Sequence, residues 1–118
     1  MALYVYKFGG TSLATTKHIS RVVELIIRAR EEGHQVVVVV SAMGGETNRL
    51  LNLAGGVAPE AKGREFAALV TCGEQMSMSL LTLTLLSSGC PARSFKAGEA
   101  GIYTTDEFDC AQITEIHP

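Results

Sequence analysis

The N-terminal third of the chain alternates between two patterns of hydrophobic side chains, one typical of strands and one typical of a helix. Leu3 to Tyr6 form a short apolar run. From Thr16 to Glu32, apolar residues recur at a spacing that places them on one helical face: Ile19, Val22, Val23, Ile26 and Ile27. Val36 to Val40 follow without a polar interruption, which is typical of a parallel strand covered on both faces. These elements predict a right-handed β-α-β unit.

The rest of the chain has a helical pattern that glycines and prolines interrupt. We expect a short helix from Glu46 to Ala54 and a loop from Gly55 to Gly63. Helical periodicity resumes from Arg64 to Leu69, and the triplet Thr71-Cys72-Gly73 predicts a break, so that Glu74 starts a second helix that continues to Ser88. Two further strands are predicted, at Arg93 to Lys96 and at Gln112 to Ile116.

Size and composition indicate one ordinary globular domain. The 118 residues are 47% hydrophobic and 19% charged, and they contain no low-complexity tract. The net charge of −2 and the absence of a Lys/Arg block argue against nucleic acid or an anionic membrane surface as a partner.

The cysteines and the apolar runs point to the cytoplasm. Cys72, Cys90 and Cys110 are odd in number and widely spaced, so a reducing compartment is expected. No secretory leader is expected, because Lys7 and the glycines after it interrupt the N-terminus. The longest apolar stretch, Val36 to Val40, is far shorter than the ~20 residues that cross a bilayer. We therefore expect no association with a membrane.

The segment after the first predicted strand combines groups that suit a phosphate. A cation, two glycines and two hydroxyls stand where the strand gives way to a helix: Lys7, Phe8, Gly9, Gly10, Thr11 and Ser12. Unpaired backbone N–H groups and the positive end of a helix dipole favour an anion at such a junction. The chain has no Walker A sequence. This segment alone is equally compatible with an ordinary Gly-Gly turn in which Lys7 is a solvated charge.

Two later segments extend this candidate site. The second predicted strand ends in Ser41-Ala42-Met43-Gly44-Gly45, and parallel pairing would place this loop beside the first one. Glu74 would stand at a helix start. Its carboxylate there has two interpretations that the sequence leaves open, a charge that complements the helix dipole or a ligand for a substrate cation such as an ammonium.

Together these motifs resemble those of the aspartate kinases, members of the amino-acid kinase family. The resemblance runs in order and spacing through almost the whole chain, in the segments Lys7 to Ser12, Ser41 to Asn48, Thr71 to Gln75 and Ala100 to Asp106. It implies an α/β fold, a three-layer αβα sandwich around a mostly parallel sheet. It also implies phosphoryl transfer from ATP, as its Mg²⁺ complex, to the side-chain carboxylate of L-aspartate. The product, 4-phospho-L-aspartate, begins the biosynthesis of lysine, threonine and methionine.

The resemblance also implies roles for individual residues. Lys7 would be the catalytic cation that neutralises charge on the transferred phosphoryl group. The rest of the motif would bind ATP phosphates through backbone N–H groups and hydroxyls, with Ser41 in the same region: Phe8, Gly9, Gly10, Thr11 and Ser12. Thr47 would contact aspartate and Glu74 would hold its α-ammonium. No residue is expected to bind a metal directly.

The chain also lacks parts of the family pattern. The nucleotide-binding half with its G-R-G-G-S-D element and the regulatory ACT domains are absent from residues 1–118, and no arginine here matches the one that receives the α-carboxylate. The sequence is therefore expected to be the N-terminal portion of a catalytic domain, inactive alone and part of a homo-oligomer in the full-length protein. The alternative is a truncated, non-catalytic binding or interaction module that derives from an aspartate kinase.

Overall fold

The computed structural model describes residues 1–118, and its first elements follow the predicted strand and helix patterns. In chain order the elements are β1 (Leu3–Phe8), a 3₁₀ turn (Gly10–Leu13), α1 (Thr16–Glu31), β2 (Gln35–Val40), α2 (Glu46–Val57), α3 (Arg64–Ser87), β3 (Ile102–Thr104) and β4 (Ile113–Ile116). The β-α-β unit and the α/β class are therefore confirmed.

Strands β1 and β2 pair in parallel, with Leu3 opposite Gln35 and Phe8 opposite Val40. Helix α1 connects them, and the Thr15 side chain caps its start by accepting a hydrogen bond from the His18 backbone N at 3.3 Å. Its apolar face joins α3 in the core, which consists of Leu13, Ile19, Val22, Val23, Ile26, Leu81 and Leu85. The periodicity of α1 thus fixed which side of the helix is buried.

The sheet is covered on one face within this chain. Alternate strand residues pack against the core: Tyr6, Phe8, Val36, Val38 and Val40. The opposite face is exposed, with Val5 65%, Val37 48% and Val39 47% accessible. The expectation that the valine run would be buried on both faces is not met by these 118 residues, because α1 and α3 pack against the face that carries Val36, Val38 and Val40 and leave the other face exposed.

Helix α3 is continuous, so the predicted break at Thr71-Cys72-Gly73 is wrong. Both polar side chains of the triplet donate to the Ala68 carbonyl one turn earlier, Thr71 Oγ1 at 3.1 Å and Cys72 Sγ at 3.3 Å. The hydrogen-bonding groups of both side chains are therefore satisfied within the helix, and the helix continues. As a consequence Glu74 lies in the helix interior, and its interpretation as a charge at a helix start is also wrong.

By length and apolar composition, α3 could cross a membrane. The sequence pattern did not show this because the segment was divided into two shorter helices. The observation is weak on its own, since core helices of soluble proteins have the same length and composition, and α3 contributes Leu81 and Leu85 to the core.

The remaining segments depart from the sequence pattern in three places. Helix α2 continues to Val57, through the first part of the predicted loop. Arg93 to Lys96 form no strand, because no neighbouring strand pairs with them; instead the Arg93 guanidinium stacks on Phe95, 4.8 Å from the ring centroid. The strand predicted at Gln112 to Ile116 is present as β4, and it pairs antiparallel with β3, which the sequence pattern did not predict, in a separate two-stranded sheet.

Candidate functional site

The loops that follow β1 and β2 are in direct contact through glycines. A Cβ placed on Gly10 would lie 3.1 Å from the Ala42 carbonyl oxygen, and one on Gly44 would lie 3.2 Å from the Gly10 carbonyl oxygen. The Ser41 amide also donates to the Phe8 carbonyl at 3.2 Å, which continues the strand pairing into the loops. The prediction that the two loops lie side by side is confirmed, and glycine is what allows their backbones to approach so closely.

The residues of the first loop present polar groups at the end of β1. Gly9 accepts a hydrogen bond from the Ser12 amide at 3.2 Å, which closes the 3₁₀ turn, and Thr11 and Ser12 are exposed. This turn lies between the glycines and α1, which begins at Thr16 as the helical pattern predicted. Phe8 is half-buried against the core and anchors the strand.

Lys7 points away from the core. It alternates with Tyr6 and Phe8, which face α1 and α3, and it therefore lies on the exposed face of the sheet. It takes part in no ion pair with the other side chains of the chain. Its ammonium group is thus free of competing carboxylates.

The second loop leads into α2, where Thr47 is half-buried in the first turn. Gly45 makes the turn with a φ of +81°. Glu46 accepts two hydrogen bonds from Arg49, at 3.0 Å from Nε and 2.6 Å from Nη2. This hydrogen bonding, with the charge of the guanidinium, lowers the pKa of Glu46. Glu46 is therefore held ionised, and Arg49 is engaged beside Thr47.

Helix α3 contacts the second loop at Gly73, the residue before Glu74. Gly73 is buried, and a Cβ on it would lie 2.9 Å from Ala42 Cβ and 3.5 Å from Leu50 Cδ1. The next residue, Glu74, is partly buried, and its Oε2 atom is inaccessible to water and has no hydrogen-bond partner. An inaccessible carboxylate oxygen without a partner is energetically costly, so this group suits a cationic ligand.

The structure therefore joins the three sequence motifs in part. The first and second touch through Gly10, Ala42 and Gly44, and the third reaches the second where Gly73 meets Ala42. Two surface depressions lie elsewhere, one on the outer side of α3 around Met76 and one beside β3 and β4. No three His, Cys, Asp or Glu side chains cluster closely enough to hold a metal ion.

Sequence reasoning missed two features of this site. The contact between Gly73 and Ala42 had one signal, a glycine inside an apolar helical pattern, which was interpreted as a break although it can equally mark a close approach. The Glu46–Arg49 pair also had a signal, because residues three apart meet on one helical face.

Comparison with known proteins gives the family of the chain. Residues 2–118 match the amino acid kinase family. Aspartokinase from Mycobacterium bovis is 44% identical over all 118 residues, and aspartokinase from Thermus thermophilus is 43% identical over the same length. The chain spans only 28% and 29% of these two relatives.

A solved structure agrees with the sequence relatives. The crystal structure of aspartate kinase from Synechocystis matches 77% of this chain and 16% of its own, with a TM-score of 0.74 and 44% identity. The resemblance to aspartate kinases inferred from the motifs is thus confirmed, and the expected fold class with it. These 118 residues belong to the amino acid kinase family.

Proposed function

We propose that this chain is the N-terminal, substrate-binding and phosphate-loop portion of an aspartate kinase catalytic domain. The reaction would transfer the ATP γ-phosphoryl group to the side-chain carboxylate of L-aspartate, giving 4-phospho-L-aspartate and ADP. The aspartokinases of Mycobacterium bovis and Thermus thermophilus support the proposal through 44% and 43% identity over the whole chain.

The observation that carries the proposal is the unpartnered carboxylate oxygen of Glu74. Aspartate differs from most carboxylic acids in having a free α-ammonium, and an ammonium supplies a charge-assisted hydrogen bond to such an oxygen. Gly73, beside Glu74, packs on Ala42 and near Glu46, and Thr47 follows Glu46 at the start of α2. This arrangement supports binding of the amino acid between α3 and the second loop, with Thr47 as a further contact.

The paired glycine loops and Lys7 would act on the phosphoryl group. Phosphoryl transfer requires positioning and neutralisation of charge more than covalent participation of the protein. The exposed Lys7 ammonium would neutralise the developing charge, and the N–H groups and hydroxyls of the first loop would orient the phosphate oxygens. Ser41 would join them from the second loop. The contact between Gly10 and Gly44 supports a single phosphate region formed by both loops.

ATP would enter as its Mg²⁺ complex, with the metal held mainly by the phosphates. This division is supported by the exposed side chains of Lys7, Thr11 and Ser12, whose ammonium and hydroxyl groups suit phosphate oxygens. Adenine and ribose would bind to the larger part of the protein that the relatives possess beyond this segment. The parent protein would be a cytoplasmic homo-oligomer that acts on small molecules, without nucleic-acid or membrane partners.

The test is formation of an acyl phosphate by the complete polypeptide that carries this segment. The protein is incubated with MgATP and hydroxylamine, which traps an acyl phosphate as a hydroxamate. Product is expected with L-aspartate and not with N-acetyl-L-aspartate, which keeps the reacting carboxylate but lacks the cation that Glu74 would bind. A folded complete protein that forms no hydroxamate from L-aspartate would overturn the proposal.

A further inference from the structure

Ala42, in the second loop, contacts both the first loop and α3. Its carbonyl oxygen lies against Gly10, where an added Cβ would be 3.1 Å away. Its methyl group lies against Gly73, where an added Cβ would be 2.9 Å away. Ala42 is only 5% exposed, and its Cβ is fixed to the backbone, so it cannot swing aside as a long side chain can. Contact with Gly10 on one side and Gly73 on the other therefore lets Ala42 set the spacing of the first loop, the second loop and α3.

Glycine at position 73 is unfavourable for the helix that contains it. A glycine in a helix interior makes the helix less stable than alanine would, and Gly73 lies near the middle of α3. A methyl group there would require Ala42 and α3 to separate by roughly half an ångström or more before reaching ordinary carbon–carbon contact. Because Glu74 is the next residue on the same helix, such a separation would displace its carboxylate relative to the loop.

We propose that Gly73 is a positioning residue, whose missing side chain sets the distance between the Glu74 carboxylate and the paired glycine loops through contact with Ala42. This inference rests on the proposed function for its kinetic consequence. The contact between Gly73 and Ala42, and its effect on stability, do not depend on the proposed function. Gly73 is expected to touch neither substrate, and it acts through the placement of α3.

The experiment adds a methyl group at Gly73, removes one at Ala42, or does both, in the complete polypeptide. Gly73→Ala adds the clashing Cβ, Ala42→Gly removes its partner, and the double variant exchanges them. Gly55→Ala is the matched control, because Gly55 is also helical but an added Cβ would meet nothing within 4 Å. Each variant is characterised by thermal unfolding and by the KM values for aspartate and ATP.

Gly73→Ala is expected to raise the aspartate KM on the order of tenfold while the ATP KM changes much less, because under the proposed function the displaced carboxylate would bind the amino acid. Adding Ala42→Gly to Gly73→Ala should lower the aspartate KM most of the way back to the wild-type value. Gly55→Ala should leave both KM values unchanged. A wild-type aspartate KM in Gly73→Ala, or a defect that Ala42→Gly does not relieve, would overturn the inference.

The unfolding data separate this inference from the proposed function. If the wild-type protein does not phosphorylate aspartate, the proposed reaction fails, but the packing still predicts that the effects of Gly73→Ala and Ala42→Gly on stability are non-additive. Additive effects would overturn the positioning role whatever the reaction is.

Discussion

The Glu74 carboxylate combines an inaccessible oxygen with a position in the middle of α3. That position removes a helix-dipole role, because the dipole acts within the first and last turns of a helix. The hydrogen-bonding capacity of Oε2 is therefore unused within the chain. A cation brought by the substrate would use it.

Glu74→Gln is expected to raise the aspartate KM about 10- to 100-fold, since it removes a charge-assisted hydrogen bond worth roughly 1.5–3 kcal/mol while keeping the shape of the side chain. The ATP KM should hardly change. Steady-state kinetics of the complete polypeptide measure both values. An unchanged aspartate KM would remove Glu74 from the substrate site.

Lys7→Ala is expected to lower kcat much more than it raises the aspartate KM, because the lysine would interact with charge that develops during transfer. Loss of one such group costs on the order of 3 kcal/mol, or about 100-fold in rate. Lys7→Arg is the control: it keeps the charge and should retain more activity than Lys7→Ala. Near-normal kcat in Lys7→Ala would exclude Lys7 from the mechanism.

Helix α2 shows how local preferences and packing combine in one element. It extends through Gly55 and Gly56, although glycine is a poor helix former, and it places Leu50 and Ala54 in the interior. Its first turn carries the Glu46–Arg49 pair beside Thr47. The pair therefore orders the turn that would contact the substrate.

Gly55→Ala is expected to stabilise the protein by about 0.5–1 kcal/mol, because it lowers the backbone entropy cost of the helix and its Cβ enters open space. Gly33→Ala is the informative comparison: its Cβ also meets nothing, but its φ of +90° disfavours any side chain, so it should destabilise. Thermal unfolding distinguishes the two. Equal shifts of the same sign would contradict this account.

Arg49→Gln is expected to raise the pKa of Glu46 toward its ordinary value of 4.5. In the folded protein the pKa is lowered, so the pair stabilises the fold above pH 4.5 and this contribution is lost as the pH falls through the lowered pKa. The contribution is small because Arg49 is 58% exposed. NMR titration of the Glu46 carboxyl gives the pKa directly, and an identical pKa in both proteins would refute the assignment.

The molecule as a whole presents a parallel sheet with one uncovered face and a candidate site for which we propose the amino acid and the phosphates as ligands. The chain spans 28% of the Mycobacterium bovis aspartokinase, and the apolar side chains of Val5, Val37 and Val39 are 47% to 65% exposed. The segment therefore lacks cover for its sheet, and its candidate site includes no assigned group for adenine.

The isolated 118 residues are expected to form no acyl phosphate from L-aspartate and MgATP, because phosphoryl transfer requires the nucleotide to be held in line with the acceptor. The hydroxamate assay compares a mass-verified preparation of the segment with the complete polypeptide and with a mock purification. Turnover by the segment well above the mock would show that the nucleotide binds within these residues.

The sequence by itself determined the β-α-β unit, because the period of α1 and the valine run of β2 are local signals of burial. It also determined the pairing of the two glycine loops, since parallel strands end at the same edge of a sheet. The segments that carry the family motifs were identifiable for the same reason, since they are short and contiguous along the chain.

Only the tertiary structure decided the course of α3 and the surroundings of Glu74. Thr71, Cys72 and Gly73 have poor helix propensity, but hydrogen bonds to Ala68 and the fit of Gly73 against Ala42 and Leu50 keep the helix intact. The contacts of Gly73 with Leu50 and Ala42 join residues more than twenty positions apart, and no local pattern encodes contacts at such a distance. Whether a carboxylate oxygen is inaccessible and unpartnered depends on the neighbours that packing brings to it, so the sequence could supply Glu74 but not its environment.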